Sequence, residues 1–309
     1  MRILIVCAKH TGSNLFCTPA IRLLKKNIPD CLITVVALNK LSAEVFAGNP
    51  DISSVRVTQS RRQVESLAKE STVALCLNAK SKDLLAGLTC PVHVAPVARN
   101  GYHQADLILD FVADVFGFSV QQSDRQYVLT PSQPPESISQ HVNKLIGIHL
   151  GCGKTAKHGW KFFHSGRGNH QKLWPMEHYI ELGRLIRSRF PDHSIVLTGT
   201  ANEAFLARAF LKHQPDTINL IGKTTAQSLV ASIEKMAVFI SHDCGVLHLA
   251  AATNTPLISM FACTFPEETG PYPPAPNRIV LQAETMAEIL PEKVIDNLEK
   301  LIELKPEAA

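Results

Sequence analysis

Apolar residues in this chain fall into two patterns. Short, β-branched runs alternate with longer stretches in which apolar positions recur at helical spacing, the patterns of buried strands and of amphipathic helices. In the first part the predicted strands are Arg2 to Cys7, Leu32 to Ala37, Ser53 to Val57, Val73 to Leu77 and Pro91 to Ala95. The predicted helices are Thr18 to Asn27, Leu41 to Ala47, Arg62 to Lys69, Ser81 to Leu88 and Ala105 to Phe116. Strand and helix in alternation imply a parallel sheet. From Gln121 to Ser139 the sequence turns polar and carries Pro131, Pro134 and Pro135, which reads as a linker.

The rhythm then restarts. Strands are predicted at Leu145 to His149, Ser194 to Thr198, Thr217 to Leu220, Ala237 to Ile240, Pro256 to Met260 and Arg278 to Leu281, with helices at Met176 to Ser188, Asn202 to Lys212, Ala226 to Glu234 and Gly245 to Ala252. A last helix, Pro291 to Leu304, could pack on either part. The expected organisation is an α/β domain over residues 1–125, a linker over 126–143 and a second α/β domain over 144–309. Two such Rossmann-like domains are expected to face an interdomain cleft at the carboxyl ends of their strands, where open parallel sheets bind ligands.

The strand Ala237 to Ile240 runs into Ser241-His242-Asp243-Cys244-Gly245-Val246-Leu247-His248 and an alanine-rich helix. A helix start presents unpaired N–H groups, Gly245 lets a ligand approach the backbone, and His248 lies one turn in, so a phosphate is the natural ligand. Asp243 as an ordinary N-cap and His248 as a satisfied helix histidine are the alternative. After the next strand comes the turn-rich loop Phe261 to Tyr272, containing Thr269 and Gly270, expected at the same sheet edge.

Composition narrows the class. With 309 residues, 45% hydrophobic and 19% charged, the chain can bury two cores. Met1 to Cys7 reads as a strand and not a signal peptide, and no apolar run reaches membrane-spanning length. Eight scattered cysteines without Cys-x-x-Cys read as reduced thiols, so a cytoplasmic location is expected. A net charge of +4 is too mild for nucleic-acid binding. The interval between Glu136 and Glu177 nonetheless lacks any carboxylate and carries Lys144, Lys154, Lys157, Lys161, Arg167 and Lys172, which suits a polyanionic ligand. His158, His164 and His170 could bind a metal only without a nearby carboxylate, so no metal is expected.

With Asp243-Cys244-Gly245-Val246-Leu247-His248-Leu249-Ala250-Ala251 and Phe261-Ala262-Cys263-Thr264-Phe265-Pro266-Glu267-Glu268-Thr269-Gly270-Pro271-Tyr272, the chain resembles the heptosyltransferases of lipopolysaccharide core synthesis, glycosyltransferase family nine. Thr11-Gly12-Ser13-Asn14-Leu15, Thr18-Pro19-Ala20-Ile21-Arg22, Asn49-Pro50-Asp51, Lys172-Leu173-Trp174-Pro175, Gly199 with Glu203, and Asn219 to Thr224 are similar to further motifs of that family. The resemblance implies a GT-B fold and an inverting transfer of a heptose from ADP-heptose to the inner core of lipopolysaccharide. It implies no cofactor and, as partners, a sugar nucleotide and a lipid-linked saccharide met transiently at the inner membrane surface. A monomer is expected. Lys172, Asp243, Cys244, Gly245 and His248 would bind the donor diphosphate, Glu203 the donor ribose, and Gly12, Thr269 and Gly270 would form an acceptor or hinge loop.

One position departs from the family. Where its members carry the aspartate that deprotonates the acceptor hydroxyl, this chain has Ser13, which cannot act as a base near neutral pH. His10, three residues earlier, can take the proton; another acidic group can enter; or the chain is a weak or inactive binding protein for a sugar nucleotide or lipopolysaccharide precursor. Thr155 to Gln171 also looks like an insertion, and the stretch around Asn100 to Asp106 looks short. Two other classes fail on spacing. A phosphate-loop hydrolase needs glycine where Ile148 and Thr217 stand, five positions before Gly153-Lys154 and Gly222-Lys223. A dinucleotide dehydrogenase needs Gly-x-Gly-x-x-Gly after the first strand, where Gly12 stands alone.

Overall fold

The structure is a computed structural model and describes residues 1–97, 101–139, 144–153, 155 and 170–303. The chain divides into two compact units, Met1–Thr130 and Pro131–Ala309. The boundary falls inside the proline-rich stretch. Residues just before it belong to the first unit, because Val128 N–H donates to Thr18 Oγ1 at 3.0 Å and Thr130 Oγ1 donates to the Gly48 carbonyl at 2.9 Å.

The first unit contains strands β1 (Arg2–Val6), β2 (Leu32–Ala37), β3 (Ser54–Val57), β4 (Val73–Cys76) and β5 (Val92–Val94), with helices α1 (Thr11–Leu15), α2 (Thr18–Asn27), α3 (Lys40–Ala43), α4 (Arg61–Ala68) and α5 (Gln104–Phe116). Its sheet has the order β3-β2-β1-β4-β5, and every pairing is parallel. The central strands are buried on both faces, as their continuous Val, Ile and Leu runs require. Leu4 and Val6 pack with Val36, Val64, Ala74 and Cys76 on one of those faces.

The second unit contains α6 (Glu136–Ser139), β6 (Leu145–His149), α7 (Met176–Arg189), β7 (Ser194–Thr198), α8 (Ala204–Leu211), β8 (Ile218–Asn219), α9 (Ala226–Ile233), β9 (Val238–His242), α10 (Gly245–Ala251), β10 (Leu257–Phe261), α11 (Pro266–Thr269), β11 (Arg278–Gln282) and α12 (Pro291–Glu303). The order β11-β10-β9-β6-β7-β8 is again all parallel. Ile146, Ile148, Leu197, Val238 and Ile240 meet Tyr179, Leu182 and Ile186 of α7. The terminal helix α12 packs on this unit, with Val294, Ile295, Leu298 and Leu301 in the same core.

Several elements differ from the sequence pattern. Ser81 to Leu88 is not an α-helix but part of a 3-10 stretch, Ala79–Leu85. Asn78 starts it by accepting from Lys80 N–H, and Gly87, at φ 76°, turns the chain into a conformation that a helix cannot continue. Leu41 to Ala47 divides into the single turn α3 and a 3-10 segment, Glu44–Phe46, ending before Gly48 at φ 70°. Strand β9 runs two residues beyond the expected end, because Ser241 and His242 pair with Ser259 and Met260 of β10.

Gly147 lies in the middle of β6, opposite Val196 and Phe239. A Cβ there would stand 2.3 Å from Met236 Sδ and 2.4 Å from Phe239 Cδ2. Gly147→Ala is expected to destabilise the protein by about 1–3 kcal/mol through overpacking. Urea unfolding checks this, and an unchanged midpoint would contradict it.

Candidate functional site

In an all-parallel sheet every carboxyl end lies along one edge. In the second unit this places His149, Thr198, His242 and Phe261 in neighbouring positions, with the chain beyond each forming the rim. The Lys172-Leu173-Trp174-Pro175 segment is fixed beside that rim by its tryptophan. Trp174 is buried, its indole N–H donates to the Ile289 carbonyl at 2.7 Å, and its ring meets Tyr179 edge-on at 4.8 Å. Pro175 then caps α7. The polar residue of the segment is left to reach the rim, and the Lys172 ammonium pairs with Asp243 Oδ2, which directly follows β9.

Asp243 is 7% exposed and its backbone N–H donates to the Met260 carbonyl at 3.2 Å, tying β9 to β10 at their ends. Burial pushes its carboxyl pKa up, but the charges of Lys172 and His248 and the hydrogen bond from Lys172 outweigh it, so the group is held below its ordinary value. Cys244 caps the seven-residue helix α10, Gly245 is its first residue, and His248 is buried one turn in. The strand, turn and helix expected from the sequence are therefore present, with Lys172, Asp243, Cys244, Gly245 and His248 brought together.

Glu203, expected at the donor ribose, lies just behind the end of β7. It is 3% exposed and closes a capping box, Oε2 accepting from Thr200 N–H at 2.7 Å and from Thr200 Oγ1 at 2.9 Å. Oε1 lies 3.0 Å from the Thr155 hydroxyl. The carboxylate fills the space of two missing side chains, since a Cβ on Gly151 would stand 1.9 Å from Oε1 and one on Gly199 would stand 3.1 Å from Oε2. In this structure Glu203 supports the rim from inside. Thr269 ends α11, and Gly270 N–H closes that turn onto the Pro266 carbonyl at 2.7 Å.

Behind the rim lies a polar cluster that the motifs do not reveal. His149 Nδ1 stands 3.1 Å from the Thr198 carbonyl and 3.2 Å from its hydroxyl. The His149 and His242 rings stack at 5.9 Å, and the Tyr179 hydroxyl lies 3.0 Å from the His149 carbonyl and 3.1 Å from His242 Nδ1. The Cys244 thiol lies 3.4 Å from Ser241 Oγ. Burial opposes charge on His149, but the Cys244 and Glu203 charges and the Cys244 and Thr198 hydrogen bonds raise its pKa to about 9. Burial also opposes the Cys244 thiolate, yet His149 lowers its pKa. His242 is pushed down to about 3 by burial and then by the charge of His149. The available signal in the sequence was a histidine ending each of two buried strands.

The first unit carries the other candidates on the turn after β1. His10 is exposed and caps α1, Gly12 is buried within it, and Ser13 is half-buried. Asn14 pins the turn: Oδ1 accepts from Ala8 N–H at 2.7 Å and Nδ2 donates to the Ser42 carbonyl at 2.9 Å. Of the basic interval, Lys154, Lys157, Lys161 and Arg167 lie outside the described residues, as do His158, His164 and most of the insertion at 155–171. Among the described residues no group of three or more His, Cys, Asp or Glu side chains is arranged to hold a metal ion, and no helix is long and apolar enough to cross a membrane.

The family model of glycosyltransferase family 9 (heptosyltransferase) matches residues 92–298, two thirds of the chain. The chain belongs to this family. Lipopolysaccharide heptosyltransferase 3 of Escherichia coli is 27% identical over 285 residues, covering 82% of this chain and 81% of the relative. Lipooligosaccharide heptosyltransferase 2 of Haemophilus influenzae is 30% identical over 105 residues, which is 32% of this chain and only 30% of that relative's length. In fold, the two units match the structure of the E. coli heptosyltransferase WaaC with ADP, at a TM-score of 0.74 and 18% identity, covering 97% of this chain and 100% of that one. The two parallel-sheet α/β units are therefore those of a GT-B heptosyltransferase fold.

The paired charges at the rim give a stability test. Asp243 has a depressed pKa, so its contribution is present at neutral pH and is lost as pH falls through its folded value, below about pH 4. In Lys172→Met burial acts on Asp243 without the ammonium, and its pKa is expected to rise. The variant should be less stable than the native chain by about 1–3 kcal/mol at pH 7. That deficit should shrink on acidification as the unpaired carboxyl takes a proton. Urea unfolding at both pH values checks this, and an equal deficit at each would contradict it.

Proposed function

We propose that the chain is an inverting glycosyltransferase that moves a heptose from ADP-heptose to the inner core of lipopolysaccharide. The carrying observation is the Lys172–Asp243 pair at the turn after β9. An ammonium has three donors, of which Asp243 engages only part, so the carboxylate orients Lys172 while the remaining N–H groups can meet the donor diphosphate. Family membership and the binding of ADP named for the similar WaaC structure support this reading.

In the reaction the acceptor hydroxyl oxygen attacks the anomeric carbon, and the bond from that carbon to the diphosphate oxygen breaks. The leaving ADP takes the electron pair, and its developing charge is met by Lys172 and by backbone N–H groups of the turn. The acceptor proton passes to a base, for which His10 is the candidate because an unperturbed imidazole accepts protons near neutral pH. Glu203 enters as support for the rim. The acceptor is a lipid-linked saccharide, met at the inner face of the cytoplasmic membrane by a weakly basic monomer.

Ser13 favours a second reading, in which the chain binds the same ligands with little turnover. Two measurements follow. In thermal-shift titrations ADP and ADP-heptose should raise the melting temperature, because ligand bound to the folded state stabilises it, while GDP, UDP and NAD should not. A chain unmoved by any of them would refute the donor class. In transfer assays His10→Ala should lower turnover by roughly a hundredfold or more. Intact turnover would exclude His10 as the base, and a large gain in Ser13→Asp would support the second reading.

A further inference from the structure

Three stretches that build the rim converge on Tyr179 of α7, a side chain that stands outside the family motifs. Its backbone N–H donates to the Pro175 carbonyl at 3.2 Å, which sets it in the first turn of the helix, directly after the Lys172-Leu173-Trp174-Pro175 segment. Its ring meets Trp174 edge-on, with centroids 4.8 Å apart. Its hydroxyl donates to the His149 carbonyl at 3.0 Å, at the end of β6, and lies 3.1 Å from His242 Nδ1, at the end of β9. A carbonyl has no hydrogen to give and a phenol has one, so His242 Nδ1 supplies the hydrogen of the second bond. Tyr179 is 1% exposed and burial raises its pKa, so the hydroxyl keeps its hydrogen at neutral pH.

These contacts close a circuit. From the phenol it runs to His242 and its chain neighbour Asp243, crosses the ion pair to Lys172, and returns along the chain to Trp174, whose ring rests on that of Tyr179. Trp174 is held from the far side by the Ile289 carbonyl at 2.7 Å, and Asp243 by its N–H bond to the Met260 carbonyl at 3.2 Å. Tyr179 reaches both partners of the ion pair, Lys172 through the tryptophan and Asp243 through the histidine. An ammonium is a point charge on a flexible stem, so its place is set by its own backbone and by the carboxylate that orients it. Without the hydroxyl, the His149 carbonyl and His242 Nδ1 lose a partner in an interior that offers little water in its stead.

Resting on the donor reading above, we propose that Tyr179 is a positioning residue for nucleoside diphosphate binding: its hydroxyl fixes the end of β9 against the tryptophan segment, so that the Lys172 ammonium stands where it meets the diphosphate. Tyr179 touches no phosphate itself and acts through the Lys172–Asp243 pair.

Tyr179→Phe keeps the ring against Trp174 and removes the hydroxyl alone. Calorimetric titration with ADP compares the native chain, Tyr179→Phe, Lys172→Met and the double variant. Tyr179→Phe should bind ADP about tenfold more weakly than the native chain. Lys172→Met should weaken binding by about thirtyfold in the native background but only about threefold in the Tyr179→Phe background, because a misplaced ammonium has little left to lose. His242→Leu breaks the circuit from the other side with the phenol intact. It should reproduce the smaller Lys172→Met factor, and it replaces Tyr179→Phe if that variant does not melt cooperatively.

A hydroxyl with a merely structural role would lower the urea midpoint of Tyr179→Phe and leave the Lys172→Met factor equal in both backgrounds. That result, or native ADP affinity in Tyr179→Phe, would overturn the proposal and leave the donor reading standing. Native affinity in Lys172→Met, or no binding of ADP by the native chain, would overturn both.

Discussion

The parallel pairing of β6 with β7 on one side and β9 on the other is the constraint on which the rest of the second unit depends. Ile148 faces Leu197 and Ile240, and His149 faces Thr198, so the register of apolar pairs inside the sheet also sets which polar residues meet at its edge. A slip of one residue would exchange the faces of the strand and bury the wrong set. The site residues at the ends of these strands are thus positioned by the core and not by their loops. Gly147 shows how closely the interior is filled: its missing side chain is the space taken by Met236 and Phe239. The same economy appears at Gly151, whose missing side chain makes room for Glu203.

The rim also holds its charges in pairs. Lys172 meets Asp243 within a setting too dry to support one charge alone. Burial works against the ionised form of Asp243 and of Cys244, and in both the partner's charge wins. For His242, burial and the charge of His149 outweigh the opposing charge of Asp243, and its pKa is held at about 3. Two stacked histidines with opposite protonation follow from their different neighbours, not from their shared burial.

What could be read from the sequence follows from what each pattern measures. Strands such as Leu145–His149 and Ser194–Thr198 have the expected limits, because continuous β-branched runs report burial on both faces. The motif at Asp243 to His248 placed the turn and helix correctly, and Lys172 joined it through a tryptophan whose anchoring is itself a core contact. The Ser81 to Leu88 stretch has helical periodicity, but Asn78 and Gly87 impose turn geometry that periodicity does not record. Glu203 stands just beyond a strand end, where the sequence pattern says nothing of its burial. Its burial depends on Gly151 and Gly199, just beyond the ends of β6 and β7, and on Thr155, contacts that sequence order does not contain. The Thr198–His149–Cys244 arrangement escaped for the same reason, since its members come from three separate strands or turns.

The turn after β1 has a different logic. Its shape rests on Asn14, which binds Ala8 N–H on one side and the Ser42 carbonyl on the other, and neither contact involves residue 13. Ser13 is half-buried on a turn whose backbone is already fixed. The frame of this turn is therefore set by Asn14 and not by residue 13. His10 is the cap residue of the same short helix, exposed and one turn away, so the nearest titratable side chain on that turn is already held where the frame itself holds it. Because Asn14 fixes the frame, the side chain at position 13 bears on the chemistry this turn can offer and not on its shape.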